Sequence, residues 1–282
     1  MVVYKQYNRQ QLDNQYNNRL HVHDFADYLE AWDKRSETTR QNYSYISDLK
    51  YGDHDRERLD IFPSAKPNSK ALIFIHGGYW QFFDKAKFHF VAETLHRNHI
   101  TTALINYPLA PAAGMNEIVA SCHKAIRWLK ENLHAYNAEP RQLYIAGHSA
   151  GAHLAAMLLE KQCEYGISGA CLISGLYNLQ PIQLCSVNDV LKMDEALMRI
   201  NSPVTFSPST NCPIVVAVGA AETDEFKDQS RELYNNWKNK SASIDLLELP
   251  ALNHFSIMDA LADENVPLHK ALLAVMKVEG FF

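Results

Sequence analysis

A chain of 282 residues, 47% hydrophobic and 21% charged, carries enough apolar sequence to close one large core, and α/β folds of this length commonly form a single domain. With 27 Lys and Arg against 32 Asp and Glu the formal charge is -5, which excludes the basic footprint of a nucleic-acid or anionic-lipid binder and suits a small neutral or zwitterionic substrate. The five scattered cysteines (Cys122, Cys163, Cys171, Cys185, Cys212) lack C-x-x-C spacing, residues 1–20 lack the apolar core of a signal peptide, and no segment offers the ~20 apolar residues of a membrane span; reduced thiols, no metal site and a cytoplasmic location are expected.

Residues 1–42 read as two polar helices, around Arg9 to Asn17 and around Asp24 to Arg35. In the second, Phe25, Tyr28, Leu29 and Trp32 share one face, a stripe suited to packing over the body of the protein as part of a lid. Two strands are expected between Tyr43 and Ser64, the second being Arg58 to Phe62. The continuous apolar run Ala71 to Ile75 then reads as a strand covered on both faces. It runs straight into His76-Gly77-Gly78-Tyr79-Trp80, where paired glycines can turn amide N–H groups into a cavity. A helix over Ala86 to Asn98, a strand over Thr101 to Asn106, the break Tyr107-Pro108-Leu109-Ala110-Pro111 and a long helix carrying Ile118, Cys122, Ile126, Leu129 and Leu133 follow.

The stretch around which the chain is organised comes next. Gln142 to Ala146 reads as a buried strand and Ala152 to Leu159 as a helix. Between them Gly147-His148-Ser149-Ala150-Gly151 has the G-x-S-x-G pattern of a nucleophile elbow, a strained turn whose glycines leave room for closely spaced backbones. A strand over Ala170 to Ser174 continues an alternation that implies a parallel sheet with right-handed crossovers. Residues 175–211 interrupt it with Pro181, Pro203 and Pro208 around one helical stretch, Asp189 to Ile200, as a small cap insertion would. Pro213 to Gly219 (strand), Phe226 to Lys238 (helix), Ile244 to Leu249 (strand), the loop Pro250 to Phe255 and a last helix from Val266 to Lys277 complete the chain.

Ser149, Glu222 and His254 stand after successive strands in the order nucleophile, acid, base of the α/β-hydrolase triad. A serine hydroxyl needs a base to remove its proton, and a carboxylate holds the imidazole in the useful tautomer. His254 has a strand-end position, whereas His76 and His148 sit beside backbone turns, as loop-orienting histidines do. Glu222 lies three residues past Gly219, at the edge of its strand; Asp224, in the first turn of the next helix, is the alternative acid. The amides of Gly77, Gly78 and Ala150 are the candidate oxyanion donors, and Tyr79, Trp80 and Tyr177 the candidate contacts to an aromatic substrate.

His76 to Gln81, Gly147 to Leu154, Gly219 to Gln229 and Asn253-His254-Phe255 together resemble the serine-type kynurenine formamidases, or arylformamidases, and the Tyr107 to Pro111 segment is similar to hormone-sensitive-lipase-like esterases. The likeness runs through most of residues 50–280. It implies an α/β-hydrolase fold, a mostly parallel sheet with helices on both faces and a small cap, and it carries over Ser149, His254, Glu222 and the Gly77-Gly78 loop as nucleophile, base, acid and oxyanion loop. At the acid the chain departs from the animal enzymes, which have aspartate, and Asp224 stays open. The implied reaction is cofactor-free hydrolysis of an aryl formamide such as N-formylkynurenine. A broad carboxylesterase on short acyl esters and a non-catalytic ligand-binding homologue are the other readings, the last opposed by the complete set of triad residues. No arginine marks itself by position as a partner for a substrate carboxylate, and oligomeric state is not legible.

Overall fold

Along the central strands, successive side chains enter two different cores. In β3 (Ser69–Ile75) Ala71, Ile73 and Ile75 face one apolar cluster while Leu72 and Phe74 face the other. The same alternation divides Leu143 and Ile145 from Tyr144 and Ala146 in β5 (Ala138–His148), and Ile214, Val216 and Val218 from Val215 and Ala217 in β7 (Pro213–Gly219). A strand that buries both faces must lie between two layers, which is why these runs are apolar throughout instead of alternating. The computed structural model describes residues 1–208, 212–238 and 243–278, with only the backbone of 161–163, so the side chain of Cys163 and residues 209–211 of the expected cap lie outside the described residues.

With β1 (Ile46–Lys50), β2 (Arg58–Phe62), β4 (Thr101–Ile105), β6 (Ile167–Ile173) and β8 (Ser243–Leu249), these strands form one sheet in the order β1-β2-β4-β3-β5-β6-β7-β8. The β1–β2 and β2–β4 pairs are antiparallel and all later neighbours parallel. The first core is closed by the helices Met115–Asn132, Ala150–Leu158 and Asp224–Trp237, the second by Phe25–Asn42, Val91–Arg97, Ser256–Leu261 and Pro267–Val275. This is the α/β-hydrolase arrangement, and it gathers the carboxyl ends of β3, β5, β7 and β8 along one edge, where open α/β sheets hold their sites.

Several boundaries differ from expectation for identifiable reasons. The strand β5 begins at Ala138 because Ala138 pairs with Ser69, and a register shift then absorbs the polar Glu139-Pro140-Arg141 stretch before Leu143 meets Ala71. The expected helix over Ala86 to Asn98 is instead a 3₁₀ turn, Lys85–Phe88, followed by a helix from Val91; the Phe90 amide donates to the Ser36 hydroxyl of the N-terminal helix, 3.2 Å away. In the cap, the single helix expected over Asp189 to Ile200 is broken. Lys192 adopts a left-handed conformation (φ 53°) that ends the Asn188–Leu191 turn, and Asp194 caps a new helix, Glu195–Ile200, by accepting from the Leu197 amide. A further helix, Ser256–Leu261, precedes the last expected one; Asn253 nucleates it, its side-chain oxygen accepting from the Phe255 and Ser256 amides at 2.9 and 2.8 Å. Among the described residues no helix is long and apolar enough to cross a membrane.

The N-terminal arm is fastened to the body by contacts remote in sequence. Lys5 bridges Glu225 and Asp228, both at 2.9 Å, the Tyr16 hydroxyl and the Gln229 amide bond each other beside Glu225, and the Asp13 carboxylate accepts from the Ser186 amide in the cap at 2.6 Å. Glu225 is buried, so Lys5 supplies the charge that a desolvated carboxylate requires.

Candidate active site

The elbow places Ser149 at the junction of β5 and the Ala150–Leu158 helix with φ 57° and ψ -122°, a conformation that costs a side-chain-bearing residue about 1–3 kcal/mol and persists only where surrounding structure enforces it. Here the enforcement is packing. A Cβ on Gly151 would fall 2.0 Å from the Ile75 carbonyl oxygen, so the elbow helix runs directly against the backbone of β3, and the Ser149 amide is held by the Ile173 carbonyl of β6 at 2.8 Å. The same closeness brings the glycine loop to the elbow: a Cβ on Gly77 would lie 2.9 Å from the Ser149 Cβ. Gly78 turns the chain with φ +103°, and Tyr79 and Trp80 follow at φ 51° and 59°.

At the far strand ends, Glu222 and His254 meet. His254 Nδ1 lies 2.7 Å from Glu222 Oε2, both side chains buried, and Glu222 Oε1 accepts from the Ser174 hydroxyl at 2.5 Å and from the Gly219 amide at 2.8 Å. Three donors converge on one carboxylate, fixing it in its ring-facing position. The two loops are tied together as well, since the Ala221 amide donates to the Leu252 carbonyl at 3.0 Å. Asp224, the alternative acid, turns away: its side chain is 73% exposed and pairs with Lys227 at 2.9 Å. Of the two candidate acids, Glu222 is the one that meets His254. Neither Ser174 nor the Gly219 amide was legible as part of the acid's support, because a serine at a strand end carries no motif.

The other histidines near the elbow are structural. His148 Nε2–H donates to the His254 carbonyl at 3.0 Å with the two rings 4.6 Å apart, and burial together with the neighbouring imidazole holds it well below the usual histidine range, so it steadies the loop as a neutral ring. His76 lies between Phe88 and Tyr107 and is pushed down to about 4 by burial. His153 is likewise held at about 4 by burial; its Nδ1 accepts from the Trp80 indole at 3.2 Å, so its proton sits on Nε2, which donates to the Asn201 carbonyl at 2.7 Å.

Ser149 and His254 open into a single cavity of about 730 Å³. Its walls are aromatic, with Trp32, Tyr79, Phe82, Phe83, Phe88 and Phe255, and its outer side is formed by the arm residues from Gln10 to Leu20 and by Cys185 to Val187 of the cap. Of the aromatic contacts expected from sequence, Tyr79 is present, its hydroxyl donating to the Tyr16 carbonyl. Trp80 and Tyr177 are not in its lining: both are fully buried in the core, the Trp80 indole bonded to His153 and the Tyr177 ring against Gly175. The missed wall comes from the arm and from Phe82 to Phe88. The stripe on the Phe25–Asn42 helix was the available signal, and only its Trp32 reaches the cavity.

Comparison with known proteins narrows the chemistry. The BD-FAE family model matches residues 59–175, from β2 to just beyond β6. The chain is 34% identical to the kynurenine formamidase of Danio rerio over 88% of each protein, and 31% identical to that of Salmo salar over 95% of each. It belongs to the kynurenine formamidase family. As a kynurenine formamidase homologue the chain is a serine hydrolase of the α/β-hydrolase fold, which acts on small molecules. It is also similar to a provisionally assigned thioesterase from Silicibacter sp. tm1040, whose solved structure matches with a TM-score of 0.85 at 28% identity, over 95% of this chain and 99% of that one.

Proposed function

We propose that the protein hydrolyses N-formyl arylamines such as N-formylkynurenine to the free arylamine and formate. The observation that carries this reading is that His254, held by the buried Glu222, shares one aromatic-walled cavity with Ser149, in a chain of the kynurenine formamidase family. Ser149 Oγ attacks the formyl carbon while His254 Nε2 takes its proton, and the resulting imidazolium is stabilised by Glu222. The tetrahedral oxyanion is held by amides of Gly77, Gly78 and Ala150; the Gly77 backbone lies against Ser149, and Ala150 is the first residue of the elbow helix, where N–H groups have no intrahelical acceptor. As the C–N bond breaks, His254 returns the proton to the departing arylamine nitrogen. Water, deprotonated by His254, then attacks the formyl ester on Ser149 and releases formate. The arm over the cavity acts as a lid that closes the aryl-binding side.

Hydrolysis of short acyl esters is the second reading, favoured by a cavity whose volume of about 730 Å³ leaves room beyond a formyl group. The two predict opposite dependence on acyl length. A site shaped to formyl loses about ten- to two-hundredfold in kcat/KM as methylenes are forced in, whereas an acyl pocket gains about 0.8 kcal/mol for each one buried. The test is kcat/KM for formyl to butyryl anilides and esters with direct assay of formate from N-formylkynurenine, alongside Ser149→Ala, which should lose on the order of 10⁴-fold or more. A rising series without formate release would sink the formamidase reading and leave the serine-hydrolase reading intact.

A further inference from the structure

The cavity has a reactive end and a polar end. Ser149, His254, Trp32 and Phe88 are buried, whereas Asn14, Asn17, Arg19 and Leu20 on the arm are exposed, so depth increases from arm to elbow. Among the residues that line the cavity Arg19 is the single lysine or arginine. Other cations of the arm are taken: Lys5 by Glu225 and Asp228, Arg9 by Asp189 at 2.7 Å, Arg35 by Asp259 at 2.9 Å. Arg19 makes no ion pair among the described residues. Its guanidinium instead lies over two rings, 5.5 Å from the Phe25 centroid and 5.7 Å from that of Phe82. Stacking of this kind fixes the plane of a guanidinium and leaves its N–H edge free for a planar oxyanion. The one carboxylate of the lining, Asp13, is occupied in holding the Ser186 amide of the cap. Phe82 itself lines the cavity, while Phe25 packs behind the wall on the lining residue Phe255, 6.0 Å between centroids, whose ring lies 5.9 Å from that of His254. Arg19 and the reacting groups thus border one cavity, with the aromatic rings of Phe82 and Phe255 also in its lining.

We propose that Arg19 is a specificity-determining residue that receives a carboxylate carried by the substrate at the end remote from the scissile bond. The preferred substrates are then anionic aryl compounds, and discrimination is exerted by the arm rather than by the triad. This inference rests on the formamidase reading for its leaving group but not for its charge.

The test uses the full-length enzyme and two formanilides that share an ortho side chain ending in a carboxylate in one and in the isosteric primary amide in the other. Wild-type enzyme is expected to prefer the acid, and Arg19→Gln to reduce the acid-to-amide ratio of kcat/KM by about three- to fivefold, as for a charge pair at an exposed site, with the loss in KM. Raising salt from about 50 to about 500 mM should erode the wild-type preference and leave that of the variant unchanged. An unchanged ratio in Arg19→Gln, or equal losses on both substrates, would show that Arg19 only packs the arm and would overturn the proposal. If wild-type enzyme releases no formate from either formanilide, it is the formamidase reading that fails; the same acid and amide pair prepared as aryl acetates then reads the Arg19 ratio independently.

Discussion

Replacing Glu222 by glutamine tests the acid more sharply than deleting it, because the structure dictates how the amide must sit. Glu222 Oε1 receives two donors, the Ser174 hydroxyl and the Gly219 amide, and Oε2 receives His254 Nδ1. Glutamine offers one acceptor and one donor in the same space. If its NH₂ took the Oε1 position it would confront the Gly219 N–H, a donor that cannot rotate, and leave a buried amide unsatisfied at about 1–3 kcal/mol. The carbonyl oxygen therefore stays toward Gly219 and Ser174, and the NH₂ faces His254. The imidazole then accepts at Nδ1 and carries its proton on Nε2, so that a hydrogen instead of a lone pair is presented to the nucleophile. The expected loss in kcat is about 10⁴-fold, the scale for a triad carboxylate turned to an amide, or about 5 kcal/mol of transition-state stabilisation. Turnover measured with thermal unfolding of the same samples separates this from misfolding, because the side-chain volume is retained. Asp224→Asn, at an exposed position, is the control and should stay within about twofold. Retention of more than about a tenth of wild-type kcat in Glu222→Gln, or a large loss in Asp224→Asn, would refute the assignment.

Two further outcomes follow from buried ionisable groups. His76 and His153 titrate near 4 when folded and near 6.5 when unfolded, so below pH 6.5 the unfolded chain binds the extra protons and stability falls as pH drops, by about 3 kcal/mol per histidine at pH 4; urea midpoints at pH 7 and 5 should differ clearly, and equal midpoints would contradict the buried neutral rings. Lys5→Met leaves the Glu225 carboxylate buried without its cation and loosens the arm that carries Tyr16 and Arg19; since Lys5 is partly exposed, a loss of only about 1 kcal/mol in stability is expected, with KM raised more than kcat is lowered, and unchanged KM would argue against a lid role for the arm.

Reading outward from the elbow worked where the required structure is local. The strand–turn–helix at Ser149 must have Gly151 because the β3 backbone passes at van der Waals distance, and that demand is written in five consecutive residues. Strands β3, β5 and β7 were legible because double burial forces an unbroken apolar run. The proposed acid was legible only in part: position at a strand end nominated Glu222 and Asp224 together, and their contacts differ, a hydrogen bond to His254 in one case and a lysine partner at the surface in the other. Adjacent aromatic residues show the limit. Tyr79 and Trp80 share a left-handed turn, yet one ring borders the cavity and the other packs beneath it on His153, a difference set by a histidine 73 residues on.

The outer wall of the site was not legible because nothing in the arm's own sequence requires it. Lys5 reaches Asp228, Asp13 reaches the Ser186 amide and Tyr16 reaches Glu225, contacts that span 223, 173 and 209 residues. A polar helix rich in Asn and Gln satisfies local rules equally well in solvent, and only the docked state gives its side chains a cavity to line. The consequence is a division of labour along the chain. The reacting groups stand on loops whose geometry is imposed by the sheet, so reaction class can be inferred from short motifs. The wall that an aryl substrate meets away from the scissile bond is imposed by long-range docking of the arm, so substrate preference can change by substitutions such as Arg19→Gln without touching the triad, and the arm is where a search for specificity should begin.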